Sequence, residues 1–466
     1  MRWVIQQTLC VLFLLLAGCA HYTEKPITNA DVNEALSAPS PDTLRVQAQT
    51  LKHPLLDAIE INERDGLSPD EVAVMAVLLN PYLKAVRDER GIADAQVISA
   101  GILPNPTLSG GAAFPIAASG ESPEYSSELS FEISALISRR AKTDAAEAAR
   151  QSVDLDIAWQ EWRTALQARA ALISLMALET QLHSARDTET RRKAYLALLQ
   201  NAESLQQATS IEVAASENAV LNAHAAVLDL ERQKNRGVHS LAIILGLSST
   251  GRIALQEGFS LASRISPPSA ETLKKGLEER RLDLAALRLG YKSQEASLRA
   301  AVRSQFPKID LGIGLVRDFG GFFVLGPTAS TEIPLFDRQQ GVIALETATR
   351  QKLYDEYIAR VFDARSQIDA IVAEITSLSN AMDSAEAAMP KREHLLDIYR
   401  DALAHGQGDI LSLWGAEDDL AAAQMEIIRM KGEASLLLVT LESEAGEYLP
   451  EAMMPSTATN TREPRQ

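Results

Sequence analysis

Cysteine is almost missing from this chain. Its 466 residues contain two, Cys10 and Cys19, both close to the N-terminus. No disulfide framework and no cysteine-based metal cluster can therefore support the remainder. Aromatic residues are also scarce, at 5%, while apolar residues reach 46%. Alanine fills that gap, which suits closely packed helices better than a set of globular cores. Positive charge is in deficit, with 45 Lys and Arg against 62 Asp and Glu. A net charge of −17 excludes a nucleic-acid partner, because phosphate binding needs a basic surface. Beyond the N-terminus no apolar run reaches the roughly 18 residues of a spanning helix. The seven histidines (His21, His53, His183, His224, His239, His394 and His405) are scattered, and none lies at ligand spacing from a cysteine. There is no phosphate-cradling or dinucleotide-binding glycine loop. Nothing reads as catalytic, and neither a cofactor nor a metal site is expected.

What is present begins at the N-terminus. Arg2 supplies positive charge, Val11 to Ala17 form a short apolar stretch, and Gly18 and Cys19 come next. The stretch is too short to span and fits a secretory signal over residues 1–18. Leu16-Ala17-Gly18-Cys19 resembles the bacterial lipobox, whose cysteine is lipidated and becomes the mature N-terminus. That resemblance implies lipidation at Cys19, and Ala20 in place of aspartate implies sorting to the outer membrane. Cys10 would leave with the signal. Residues 19–66, with Pro26, Pro39, Pro41 and Pro54 and no sustained periodicity, read as a lipid-anchored arm.

A helix is expected from "LSPDEVAVMAV", with Ser68 as N-cap, Pro69 in the first turn and Glu71 completing a capping box. It should run to Gly101, where Pro104 and Pro106 stop it. Two strands come after it, over about 107–116 and 126–134. In the second, Leu129, Phe131 and Ile133 alternate with Ser130, Glu132 and Ser134, as a strand with one apolar and one polar face requires. Residues 139–236 contain neither proline nor glycine. They predict a helix from near Arg139 to about Leu205, roughly 100 Å long. A soft spot at Gln206–Ser210 precedes a second helix ending near Gly246. The plan then recurs. A helix capped near Ser269 runs to about Ser304, strands cover 308–317 and 322–334, and "DRQQG" opens a long helix kinked or divided at Pro390. "HGQGD" forms a turn, and a last helix runs to about Tyr448. Residues 450–466 read as a disordered tail.

The halves 67–265 and 266–449 align at an offset of 200 residues. "ISALISRRA", from Ile133, falls on "IPLFDRQQG", from Ile333; "LQQATSIEVAASE", from Leu205, falls on "HGQGDILSLWGAE", from His405. In "IPLFDRQQG" the chain passes from strand to helix. Pro334 marks the end of pairing, and Asp337 is placed to cap the next helix. Four amphipathic strands of membrane-spanning length cannot close a barrel, and open edges are not tolerated in lipid. The chain must therefore oligomerise. Helices of this length suggest coiled-coil-like packing into a tube. The fold class is thus mainly α with a small β part: a duplicated helix–strand–strand–helix repeat.

"LLNPYLKAV", "LPNPTL", "IPLFDRQQG" and "GQGDILSLWGAEDDL", together with the lipobox and the duplication, resemble the outer membrane efflux protein family, the TolC-like channels. The resemblance covers about 67–446. The "LPNPTL" and "PLFDRQQG" wording is nearest the branch serving heavy-metal cation pumps. It implies a homotrimer with a twelve-strand membrane β-barrel and a helical periplasmic tunnel. It also implies a passive duct that meets a periplasmic adaptor protein and an inner-membrane proton-driven pump, with outer membrane lipid around the barrel. Two other readings stay open: a duct for one-step (type I) protein secretion, and a periplasmic coiled-coil lipoprotein that spaces the envelope. The four amphipathic strands favour a pore over a spacer.

The resemblance places the periplasmic gate at the two helical tips. Glu212 falls on the acidic gate position of the first tip, beside Thr209. In the second tip the corresponding positions are Ser412 and Gly415, neither acidic, and Asp409 stands nearby. Rings of carboxylates favour cations, although Glu212 and Asp409 could equally serve as helix caps. Ala208, Gly406 and Gly408 lie in the turns that would meet the adaptor. Gly406 and Gly408 are expected there for tight dihedrals. The charge runs 191–193 and 417–420 read as solvated helix faces. Glu132 and Asp310, on polar strand faces, should point into the barrel lumen.

Overall fold

The computed structural model describes residues 22–37, 39–62, 66–116, 122–247, 255, 261, 265–408 and 410–449. It divides into a small N-terminal unit up to Pro39 and a large unit from Ser40 onward. The small unit holds α1 (Asn29–Ala35), capped by a reciprocal Thr28–Asp31 box. Cys19 and the signal region lie outside the described residues, as do Asp409 and the tail from residue 450.

In the large unit the stretch read as an arm already contains a helix. Ser40 caps α2 (Pro41–Gln49), which buries Leu44 and Ala48. These two join a core cluster with Val72, Met75, Leu172, Leu175 and Leu241. Next comes α3 (Pro69–Leu79), where Ser68 and Glu71 form the expected capping box. The helix does not continue to Gly101. It breaks at Asn80, and α4 (Pro81–Gly101) starts anew. Asn80 Oδ1 accepts the amide N–H of Tyr82 at 2.9 Å, while its Nδ2 donates to the Ile244 carbonyl at 2.8 Å. Pro81, with no N–H, suits the first turn of the new helix.

Strands β1 (Thr107–Ala113) and β2 (Glu124–Glu132) come next. The first stops short of 116, and the second stops short of 134 because Ser134 already has helical dihedrals, φ −60° and ψ −30°. From there α5 (Ala135–Ser204) runs unbroken for 70 residues, about 105 Å at 1.5 Å per residue. After a five-residue turn, α6 (Ser210–Ile244) returns alongside it.

The helix expected from Ser269 to Ser304 is in three pieces: α7 (Ala270–Lys274), α8 (Leu277–Arg280) and α9 (Leu282–Arg303). Gly276, at φ 71°, and the extended Arg281 break it. Arg281 is held where it bends. Its guanidinium pairs with Asp283 at 2.8 Å and Glu444 at 2.6 Å, and lies over the Trp159 ring. Strands β3 (Ile309–Arg317) and β4 (Phe323–Thr331) lead into α10 (Gln340–Ala404). Pro390 does not divide α10; the helix is continuous for 65 residues. One missing ladder bond is tolerated because Met382 and Leu396, on either side, are buried in separate apolar clusters. The last helix, α11 (Ile410–Ala445), ends before Tyr448.

Helix α5 is the central element, packing against α3, α4, α6, α9 and α11. One core cluster sits under α2, α3, α5 and α6, and another joins α7 to α11. Trp159, Trp162, Leu166 and Ile173 of α5 meet Leu282 and Val439 in a third, linking the two repeats. There Arg169, 2% exposed, donates to Glu442 at 2.6 Å and stacks over the Tyr448 ring. Burial pushes the Glu442 carboxyl above its ordinary value and the Tyr448 phenol up to about 12.

Candidate functional site

The four strands form one antiparallel sheet in the order β1-β2-β3-β4. Directly opposed residues share a face, so the register assigns every side chain. Leu108 pairs with Leu129, and Phe131 with Leu311. Ile313 pairs with Leu129 and Pro327, and Leu315 with Leu325. These residues form one continuous apolar face. Most of it is exposed: Leu108 is 76%, Ile313 61%, Phe323 71% and Leu325 69% accessible. Near one end Tyr125 and Arg317 are paired, and Arg317 lies over Phe323.

The opposite face is mostly small and polar. Its rungs include Thr107–Ser130–Gly312–Thr328, Ser109–Glu128–Gly314–Gly326 and Glu132–Asp310–Ser330, with Val316 and Val324 beside Ser126 as its apolar exception. Within the four strands this face carries Glu124, Glu128, Glu132 and Asp310 and no Lys or Arg. The two positions singled out from sequence, Glu132 and Asp310, are cross-strand partners. Both are half-buried, and Ser134 Oγ donates to Glu132 Oε1 at 3.0 Å. Glu128 reaches over β3 to accept the Thr328 hydroxyl at 2.5 Å. Glycine permits this crossing. A Cβ on Gly312 would stand 2.6 Å from the Leu129 carbonyl and 2.8 Å from Thr328 Oγ1.

The sheet passes into α10 through "IPLFDRQQG". Asp337 does not cap that helix. It accepts the Gln339 amide at 2.8 Å, and Gln339, in the left-handed region at φ 61°, occupies the cap position without a side-chain bond. The helix starts three residues later than the aspartate because the turn is closed locally, with Arg338 N–H donating to Gln340 Oε1.

About 100 Å of helix separates the sheet from the two tips. The turns that end the two long helices repeat each other at the offset of 200. Gln206 N–H donates to the Glu203 carbonyl and Gln207 N–H to that of Ala202; Gly406 donates to Leu403 and Gln407 to Ala402. Both helices thus end in the same αL-terminated motif. The αL residue is Gly406 in one tip, at φ 70°, and Gln206 in the other, at φ 59°. Gly408 has a different reason: a Cβ there would lie 2.7 Å from the Leu403 amide nitrogen. Its twin Ala208 is half-buried. Thr209 and Glu212 form a complete capping box, in which Glu212 Oε2 accepts from Thr209 N at 2.7 Å and Oγ1 at 2.8 Å. Ser412, the twin of Glu212, is exposed.

Behind the tips lies a network that charge patterning conceals. The runs 191–193 and 417–420 are not wholly solvated. Arg191 and Asp419 are exposed, but Arg192 is 4% and Glu417 8% exposed. Arg192 of α5 pairs with Asp418 of α11 and lies over the Trp414 ring. Tyr195 donates to Glu417 at 2.9 Å, and Arg400 of α10 is 3.4 Å from the same carboxylate. Carboxylate and desolvation together hold the Tyr195 phenol above its ordinary value, burial being the larger cause. The signal was the apolar spacing Leu413, Ala416, Leu420, which places Glu417 beside a buried stripe. Among the described residues no group of three His, Cys, Asp or Glu side chains could hold a metal ion. No described helix is long and apolar enough to cross a membrane.

Comparison with known proteins agrees with this geometry. Residues 274–447 match the family described as outer membrane efflux protein. The cobalt-zinc-cadmium resistance protein CzcC of Cupriavidus metallidurans is 24% identical over 185 residues, 39% of this chain and 44% of that relative. The chain thus spans under half of the curated relative it matches. The fold is shared much more widely. CusC, a protein studied for transmembrane channel formation, superposes with a TM-score of 0.69 at 16% identity, over 86% of this chain and 98% of its own. The outer membrane protein VceC of Vibrio cholerae superposes with a TM-score of 0.68 at 16% identity, over 81% and 96%. The helical hairpins and four-strand sheet thus share the fold of these solved structures, and residues 274–447 are similar to the outer membrane efflux protein family.

Proposed function

We propose that this chain is the outer-membrane duct of a tripartite efflux system, a passive channel that carries cations or small molecules from the periplasm to the exterior. One observation supports this above the others. A sheet with one exposed apolar face, one acidic polar face and two unpaired edges stands on paired helices of about 100 Å. Three copies close twelve strands, with the apolar face toward lipid and the polar face toward water. The helices continue the duct inward. An adaptor protein meets the turns at Ala208, Gly406 and Gly408, and an inner-membrane pump supplies the energy. Thr209, Glu212, Ser412 and Asp409 surround the periplasmic mouth, and lipidation at Cys19 ties the N-terminus to the membrane. The acidic lumen suits positively charged cargo, in keeping with the metal resistance for which CzcC is named.

The test is direct. The purified protein should require detergent, run as a trimer by native mass spectrometry and give conductance steps in planar bilayers. A monodisperse monomer in plain buffer refutes the duct. Sensitivity of a deletion strain to cobalt, zinc and cadmium, set against organic toxicants, then assigns the cargo.

A further inference from the structure

Between α2 and α3 the chain crosses the large unit as a strap, residues 51–62, with neither helix nor strand. Leu55 and Leu56 pack against the cluster of Trp159 and Trp162, and Ile61 is buried. The strap also forms one wall of a cavity of about 100 Å³, whose other wall includes Trp162, Arg169 and Tyr448.

One side chain fixes the strap to α5. The imidazole of His53 is 1% exposed, and its Nε2 lies 2.9 Å from the Ala158 carbonyl oxygen. Its Nδ1 lies 3.0 Å from the Leu55 amide nitrogen and 3.1 Å from that of Leu56. A carbonyl can only accept, so Nε2 carries the hydrogen. An amide N–H can only donate, so Nδ1 must be bare. The neutral Nε2–H tautomer alone satisfies all three contacts. A second proton would set an N–H against two amide N–H groups and bury a charge.

We infer that residues 51–62 are a pH-sensitive strap, docked while His53 is neutral and released when His53 is protonated. This inference does not depend on the duct reading. The charged groups facing the ring are Glu161 of α5, 3.7 Å away, and Arg87 of α4, itself paired with Glu161 at 2.6 Å. Glu161 favours the imidazolium; burial and Arg87 oppose it, and burial is the largest effect. The folded ring therefore protonates below its ordinary value near 6.5. A depressed histidine contributes docking strength that is complete above the unfolded value and is lost as pH falls through the folded one. Release would uncover Trp159 and Trp162 and open the cavity.

Hydrogen exchange of the intact protein in detergent, corrected for the intrinsic rate, tests this at Leu55 and Leu56 between about pH 7.5 and about pH 4. Wild type should lose protection on acidification, at up to about tenfold per pH unit between the undocked value near 6.5 and the lower docked value, and level off below it. His53→Asn keeps an oxygen that can accept the same two amides but does not titrate. It should hold its protection where wild type has lost it. Glu161→Gln should deepen the acid loss of protection, because the docked imidazolium loses the carboxylate that favours it. Protection unchanged in wild type, or lost equally in His53→Asn, overturns the inference. If His53→Asn is unprotected at every pH, the Glu161→Gln profile decides, and an acid loss no larger than that of wild type overturns it.

Discussion

Replacing Glu132 with Gln and Asp310 with Asn removes the two carboxylates that β2 and β3 place opposite each other on the polar face. In the proposed trimer this pair becomes a ring of six. Twelve strands about 4.8 Å apart and tilted about 40° close on a backbone radius of roughly 12 Å. Inward-reaching carboxylates then stand about 9 Å from the axis. In water each attracts an axial monovalent cation by about 0.5 kcal/mol, and six by about 3 kcal/mol before screening. At 0.1 M salt, with a Debye length of about 10 Å, roughly 1 kcal/mol survives; at 1 M, with about 3 Å, some 0.1 kcal/mol. The ring should thus enrich cations about sixfold at 0.1 M and hardly at all at 1 M. Reversal potentials under a salt gradient in planar bilayers measure this. Wild type should be cation-selective at low salt and nearly unselective at high salt. The double variant should lose most of the low-salt selectivity, with Glu124 and Glu128 supplying what remains. A double variant with the wild-type potential at low salt refutes the argument, because the ring then does not face the conducting path.

Other perturbations test the packing. Gly312→Ala forces a Cβ to within 3.0 Å of Leu129 O, Thr328 Oγ1 and Ser130 Cα. It should cost about 1–3 kcal/mol and reduce heat-stable oligomer on unboiled gels. Gly326→Ala meets nothing within 4 Å and should match wild type. Arg169→Met leaves the fully buried Glu442 without its charged partner. It should destabilise by about 3–5 kcal/mol, while Arg169→Met with Glu442→Leu recovers most of the loss in thermal unfolding followed by circular dichroism. Gln206→Gly should relieve the left-handed strain at the first tip, while Gly406→Ala introduces it at the second. Each shift should be on the order of 1 kcal/mol and be visible as local amide exchange.

Much of the molecule was legible in sequence where the signal is local. The Ser68–Glu71 box, the alternation in β2 and the two tips needed only neighbouring residues. The break at Asn80–Pro81 was hidden because apolar residues continue through it, and its cause is a bond to Ile244 on a distant helix. Similarly, nothing near Gly276 reveals that Arg281 turns toward Glu444. Asp337 was read as a cap from its type and position, but a left-handed Gln339 moved the start of α10 beyond its reach. Parity placed Glu132 and Asp310 on polar faces; only the register between strands far apart in sequence makes them partners. Arg192 was concealed inside a basic triplet because charge patterning does not say which member points inward.

The two unpaired edges have a consequence for the life history of the chain. Before assembly, β1 and β4 each offer a free row of backbone groups, and the face bearing Leu108, Ile313 and Leu325 is exposed to water. Such a surface templates wrong pairings as readily as right ones. Pro327 in β4 and the Gly110–Gly111 step in β1 make both edges poor templates for indiscriminate extension. In the proposed trimer closure needs three chains at once, so its yield should depend steeply on subunit concentration, and the slow step is then an encounter rather than a fold.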